Sequence, residues 1–128
     1  MVVGTGIDVA EIERMRRALG ASYGARLRAR LFSEREQRYC ESRGRGRVQS
    51  YAGRFAAKEA VMKALGVGWG GQAAWREIEI VREPGGRPRL ELSGRARATA
   101  ERLGVARWSI SITHSGGLAL ALAVAESA

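Results

Sequence analysis

The chain opens on a short apolar run rich in valine and closed by Asp8, which predicts a strand over residues 1–7. Val9, Ile12, Met15 and Leu19 then recur at spacings of three and four. That rhythm predicts a helix with Glu11, Arg14 and Arg17 on its wetter sides, followed by a loop over 20–24. Ser33-Glu34-Arg35-Glu36 has the spacing of a capping box, so another helix starts there. The polar, glycine-containing stretch 42–46 reads as a turn. The longest helical signal covers 47–65, where Val48, Tyr51, Phe55, Met62 and Leu65 mark one face and Gly66 terminates the element.

Beyond residue 72 the rhythm changes to that of strands. Residues 75–82 and 89–92 read as two strands joined through Pro84-Gly85-Gly86. The alanine-rich stretch 93–103 predicts a helix capped by Ser93. Trp108, Ile110 and Ile112 alternate with Ser109, Ser111 and Thr113, and Leu118, Leu120, Leu122 and Val124 alternate with alanines. These two runs flank Ser115-Gly116-Gly117 and predict a terminal hairpin. The expected class is α+β, with a mostly antiparallel sheet packed against the long helix and no regular βαβ alternation. A length of 128 residues suits one domain spanning 1–128.

Charge adds information about partners more than about fold. Lys plus Arg number 22 against 13 Asp plus Glu, a net charge of +9, and only Lys58 and Lys63 are lysines. Such a balance favours anionic partners: nucleic acid, an acidic protein, an acidic membrane surface or a phosphorylated ligand. An apolar fraction of 45% argues against disorder. The single cysteine, Cys40, forms no internal disulfide and points to a reducing compartment or sets no constraint; the expected location is cytoplasmic. Asp8 breaks the N-terminal apolar run, so no signal peptide is expected, and no stretch reaches the length of a membrane span.

Several residues sit where their chemistry is out of place. Glu59 falls inside the apolar stripe of the long helix, four after Phe55 and three before Met62. A carboxylate there is either paired with Lys63, four residues on, or it holds a cation. Asp8 either caps the first helix or joins Glu59 in a hard-cation site, since Mg²⁺ accepts one or two carboxylates with phosphate and water. His114, the only histidine, is either structural, a phosphate donor or a proton acceptor. The 66–71 loop follows a helix, so it lacks the context of a P-loop, although its backbone suits an anion. Trp69 and Trp75 read as packing residues. The arginines from Arg14 to Arg47 form either a solvated face or a nucleic-acid surface, though no helix-turn-helix, zinc-finger or RNA-binding signature accompanies them.

In their order and spacing, the words GTGIDVAEIER, GRFAAKEAVMKALGVG, GGRP and SISITHS resemble those of the small holo-acyl-carrier-protein synthase family of phosphopantetheinyl transferases. The resemblance runs from about residue 4 to residue 124 and implies that family's fold. It implies Mg²⁺-dependent transfer of phosphopantetheine from coenzyme A to a serine of an apo acyl carrier protein, releasing adenosine 3′,5′-bisphosphate. It also implies a trimer with active sites between subunits, and neither nucleic acid nor membrane as partner. By position, Asp8 and Glu59 match the metal carboxylates and Lys63 a lysine near the transferring phosphate. Arg54 matches an arginine used for coenzyme A and for holding the site together. His114 matches a histidine near the coenzyme's phosphates, with Ser115 beside it. Pro88 matches the turn that approaches the nucleotide, and Gly66 and Gly68 belong to a loop beside it. Arg14 matches a carrier-binding position, with Arg17 and Arg26 on the same basic surface. The alternatives are a basic nucleic-acid-binding module and a catalytically silent, carrier-binding assembly protein.

Overall fold

A computed structural model describes residues 1–68, 73–83 and 85–128. Strand β1 spans Val2–Glu11 and leads into α1 (Ile12–Gly20), α2 (Gly24–Leu31) and α3 (Glu34–Glu41). A short 3₁₀ turn at Gly44–Gly46 enters the long helix α4 (Arg47–Leu65). Another 3₁₀ turn, Trp75–Glu77, precedes β2 (Ile78–Arg82), β3 (Pro88–Leu92), α5 (Gly94–Arg102), β4 (Val105–Ser115) and β5 (Leu118–Ser127). Among the described residues there are two antiparallel sheets: three strands in the order β1-β5-β4, and the separate pair β2-β3. No helix among them is long and apolar enough to cross a membrane.

Helix α4 lies directly on the three-stranded sheet, and small residues allow it. The sheet face beneath the helix carries Gly4 and Gly6 on β1 and Ala119, Ala121, Ala123 and Ala125 on β5; these four alanines are all buried. A Cβ added at Gly6 would stand 1.9 Å from the Ala60 carbonyl oxygen, and one at Gly4 would stand 2.0 Å from that of Ala64. Backbone therefore packs on backbone. Around α4 the core is completed by Phe32 and Tyr51, whose rings meet at 4.8 Å, and by Val61, Ile78 and Ile80. Cys40 is also buried there, and burial pushes its thiol up to about 11.

Several expectations need correction. Val9 to Glu11 remain strand, because they pair with Leu120 to Leu118 on β5. The helix begins only at Ile12, whose N–H donates to the Gly117 carbonyl, so Asp8 caps nothing. Tertiary pairing overrides the helical spacing of Val9. Helix α2 occupies a stretch for which no element was expected. Residues 75–77 form a 3₁₀ turn before the strand starts. Ser93 holds the N-cap position of α5 but its side chain makes no cap bond; instead the Glu77 carboxylate accepts from the N–H groups of Arg95 and Ala96, at 3.1 and 3.3 Å. The capping box at Ser33 and Glu36, the limits of α4 with Gly66 in the left-handed region, and both hairpins are as expected. Trp69, Gly70 and Gly71 of the glycine loop and Pro84 of the first hairpin lie outside the described residues.

The opposite face of the three-stranded sheet has, among the described residues, no helix on it. It presents Thr5, Ile7 and Val9 from β1, Leu118, Leu120, Leu122 and Val124 from β5, and Ser109, Ser111 and Thr113 from β4. Ile7 is 61% exposed, Val9 49% and Leu122 42%, which makes a contiguous apolar strip in the open.

Candidate active site

Because α4 crosses β1 at backbone contact, the side chain at Glu59 comes down beside Asp8. Burial and the adjacent Asp8 carboxylate push Glu59 up from the ordinary 4.5 to about 7. Lys63, one turn further along α4, donates to Asp8 Oδ1 at 2.8 Å and to the Ile7 carbonyl at 3.0 Å. The pair expected between Glu59 and Lys63 is therefore not the one formed: the ammonium goes to the strand carboxylate and acts on Glu59 only at a distance. The bond to Asp8 raises the Lys63 ammonium above its usual range.

These two carboxylates edge a cleft of about 530 Å³ between β1, α1, α2 and α4. Phe55 and Trp75, stacked at 5.2 Å, form one wall, and Met15 and Leu31 line it further. Arg14 and Arg30 bring positive charge to the same cleft. Arg17 and Arg26 are exposed on α1 and α2. Within the basic stretch, Arg28 and Arg47 share the single Glu41 carboxylate, and Arg35 pairs with Glu79 and Glu91.

The other expected residues gather elsewhere. His114, near the end of β4, places Nε2 3.1 Å from the Gln49 carbonyl, near the start of α4. A carbonyl oxygen only accepts, so Nε2 carries the hydrogen of this bond. Gly53 makes room for this: a Cβ there would lie 3.1 Å from His114 Nε2 and 3.0 Å from Ile112 Cγ2. Arg54, next along the helix, is 3% exposed, and its Nε finds no hydrogen-bond partner among the described residues. Its guanidinium lies 4.2 Å over the Tyr39 ring, and Arg43 and Arg82 approach the same ring at 5.5 and 5.6 Å. Three cations around one ring, one of them buried with an unused donor, make a place ready for an anion.

Glu59 is ten residues beyond Gln49, so the two groups are separated by about 15 Å along α4. Within one chain Asp8, Glu59 and Lys63 come together, and His114 and Arg54 do not join them. Ser115 is exposed beside His114 at the β4–β5 turn. Pro88 opens β3 and lines a second cleft, of about 880 Å³, between the β2–β3 hairpin and β4, with Arg87, Arg89 and Trp108. Gly66 ends α4 close to Lys63, and Gly68 is exposed just beyond it.

The sequence reading missed the ring of arginines around Tyr39, because their positions follow no local spacing. It also missed Lys58, fully buried and paired with Glu36 at 2.7 Å. A lysine placed among alanines next to Glu59 was the available signal.

A scan against family profiles matches residues 4–123 to the family described as ACPS, the 4′-phosphopantetheinyl transferase superfamily. The chain belongs to this superfamily. It is 49% identical over 122 residues to a holo-[acyl-carrier-protein] synthase of Moorella thermoacetica, covering 95% of this chain and 92% of that protein. Its fold matches the crystal structure of the holo-[acyl-carrier-protein] synthase of Neisseria meningitidis with a TM-score of 0.89 at 31% identity, over 99% of this chain and all of that one. The Helicobacter pylori holo-[acyl-carrier-protein] synthase, solved in complex with coenzyme A, matches with a TM-score of 0.83 at 30% identity, over 95% of this chain and 99% of that one. The phosphopantetheinyl transferase fold expected from the sequence is thus the fold observed.

Proposed function

We propose that this phosphopantetheinyl transferase moves the phosphopantetheine arm of coenzyme A onto a serine of an apo acyl carrier protein. The serine oxygen bonds to the phosphorus that bears the pantetheine arm, and that phosphorus releases the oxygen bridging it to the nucleotide. Adenosine 3′,5′-bisphosphate leaves, and the serine proton passes to a base. The observation that carries this reading is the convergence of Asp8 and Glu59 beside Lys63 on a cleft flanked by Arg14.

Two carboxylates forced together suit a hard divalent cation. Among the described residues no third His, Cys, Asp or Glu joins them, which suits Mg²⁺ completed by water and phosphate oxygens. Asp8 and Glu59 would hold such a cation, which would supply positive charge against the phosphates. Lys63 then turns from Asp8 toward the transferring phosphate. Arg54, with a buried donor unused, and His114 take the coenzyme's phosphates, with Ser115 adding a hydroxyl. Pro88 and the hairpin face the nucleotide, and Gly66 and Gly68 let the chain pass close to it. Arg14, Arg17 and Arg26 attract the acidic face of the carrier.

The two groups of site residues lie apart in a single chain, and the bare sheet face is apolar. Both features fit a homotrimer in which the carboxylates of one copy face the arginines and histidine of the next. Ile7, Val9 and Leu122 would be covered at such an interface.

The test is to incubate the protein with coenzyme A and a panel of apo carriers, with and without Mg²⁺, and to weigh the carrier. A gain of about 340 Da on one serine, dependent on the metal, is the expected result. No gain on any carrier overturns the reading. Nucleic-acid binding with no transfer would favour the basic-module alternative.

A further inference from the structure

Among the described residues the β2–β3 hairpin shares no hydrogen-bonded ladder with the main sheet, and a lone two-stranded hairpin is marginal in water. Something else must dock it. The Glu77 carbonyl accepts from Ser93, and the Glu83 N–H donates to Arg87, so odd-numbered residues of this segment turn their backbone toward β3. Ile78 and Ile80 therefore turn theirs toward the other edge, where no strand lies. Two side chains occupy that edge. Lys58 donates to the carbonyls of Trp75 and Ile78 at 2.9 and 2.5 Å and to Glu36 at 2.7 Å, which uses all three ammonium hydrogens. Glu36 accepts from the Ile80 N–H at 2.9 Å and, through its capping box, from the Ser33 N–H at 2.9 Å. Both side chains are completely buried.

We infer that the Glu36–Lys58 pair stands in for a missing strand, clamping the β2–β3 hairpin onto α4 so that the coenzyme-facing cleft is held in place. Lys58 precedes Glu59 in the helix, so a single rigid turn of α4 carries both the cation carboxylate and the anchor of the hairpin. The hairpin in turn carries Pro88, Arg87 and Arg89 into the larger cleft and brings Arg82 to the ring of Tyr39, beside Arg54. The same clamp grips the carbonyl of Trp75, whose ring walls the carboxylate cleft. With both side chains buried and 2.7 Å apart, removing either one leaves the other charge buried and unpaired. Lys58 and Glu36 touch no reacting atom; they are positioning residues, and the inference rests on the coenzyme reading above.

The double variant Glu36→Gln/Lys58→Gln removes both charges and keeps polar side chains at both sites. The expected result is a Michaelis constant for coenzyme A raised about tenfold, with kcat changed less than threefold and the carrier's Michaelis constant unchanged. Amides of residues 78–92 should exchange hydrogen faster, while those of β1, β4 and β5 keep their protection. Unchanged affinity for coenzyme A, or an even loss of protection across the whole chain, overturns the clamp. Should the variant fail to fold, the wild-type protein still decides. Coenzyme A binding, followed by calorimetry, should slow exchange at Ile80 together with the rest of the hairpin. Binding that leaves hairpin exchange untouched overturns the clamp alone. No binding at all overturns the coenzyme reading along with it.

Discussion

The two ends of helix α4 make an instructive pair. Toward its C-terminus, Glu59 meets Asp8, and the Lys63 ammonium bonds Asp8 while reaching Glu59 only at a distance, so two acids share one bonded cation. Toward its N-terminus, Arg54, Arg43 and Arg82 crowd one tyrosine ring, and Arg54 keeps a buried donor unused, a site short of negative charge. Each group needs a partner of the opposite sign, yet Arg54 lies five residues, about 7.5 Å of rise, before Glu59 and on another side of the helix, so the two do not serve each other. Opposite deficits at the two ends are what a coenzyme diphosphate and a divalent cation would satisfy, with neighbouring copies of the chain bringing the ends together.

The largest effect should come from the acidic end. Glu59→Gln keeps the shape and removes the charge, so transfer should fall by about a thousandfold or more in the carrier mass assay. Melting temperature should hold or rise, because the clash with Asp8 goes with the charge. A variant that keeps full activity would remove Glu59 from the chemistry. At the basic end, Arg54→Ala should lower transfer by about a hundredfold, chiefly through the Michaelis constant for coenzyme A. Mixing the two inactive proteins under subunit-exchange conditions sharpens the comparison. If each site joins the acidic end of one copy to the basic end of another, random mixing restores about a quarter of wild-type activity. If both ends serve the same chain, mixing restores nothing.

How much of this was visible beforehand depends on how local the cause is. Helix α4 was readable end to end, since its apolar face and the stop at Gly66 are properties of adjacent residues. The terminal hairpin was equally readable from alternation on both sides of Gly116-Gly117. Val9 was misplaced because its helical spacing loses to a ladder with β5, a contact 111 positions away. The cap on α5 was misassigned because the acceptor is Glu77, which reaches Gly94 from a different element. Asp8 and Glu59 stood out as misplaced acids, but their meeting depends on how closely α4 approaches β1. The resemblance to a known family linked them; spacing alone did not. Glu36 was visible as a cap, whereas its second role opposite Lys58 depends on burial from both sides.

Smaller effects probe the surroundings of the acidic end. Arg14→Glu should raise the Michaelis constant for the carrier about fivefold to tenfold, leave that for coenzyme A unchanged, and flatten the salt dependence of the encounter. A change confined to coenzyme A would place Arg14 elsewhere. The smallest effect concerns pH in metal-free protein. Folded Glu59 keeps its proton up to about 7, whereas the unfolded chain releases it near 4.5. Unfolding free energy should therefore decline modestly as pH rises through that window, with the change softened by the partial exposure of the group. Glu59→Gln should abolish the decline, which urea titrations at pH 4.5 and 7.5 would reveal.

The missing side chains of Gly4 and Gly6 act as a gauge block for the whole enzyme. Even one methyl group at Gly6 meets the Ala60 carbonyl at 1.9 Å, and Ala60 directly follows Glu59. Lifting the helix to admit it would widen the gap between the two acids before any acid was altered. A library that randomised these glycines should thus lose cation affinity in proportion to the volume added, even among members that fold. Anyone redesigning this scaffold would do well to leave both positions empty.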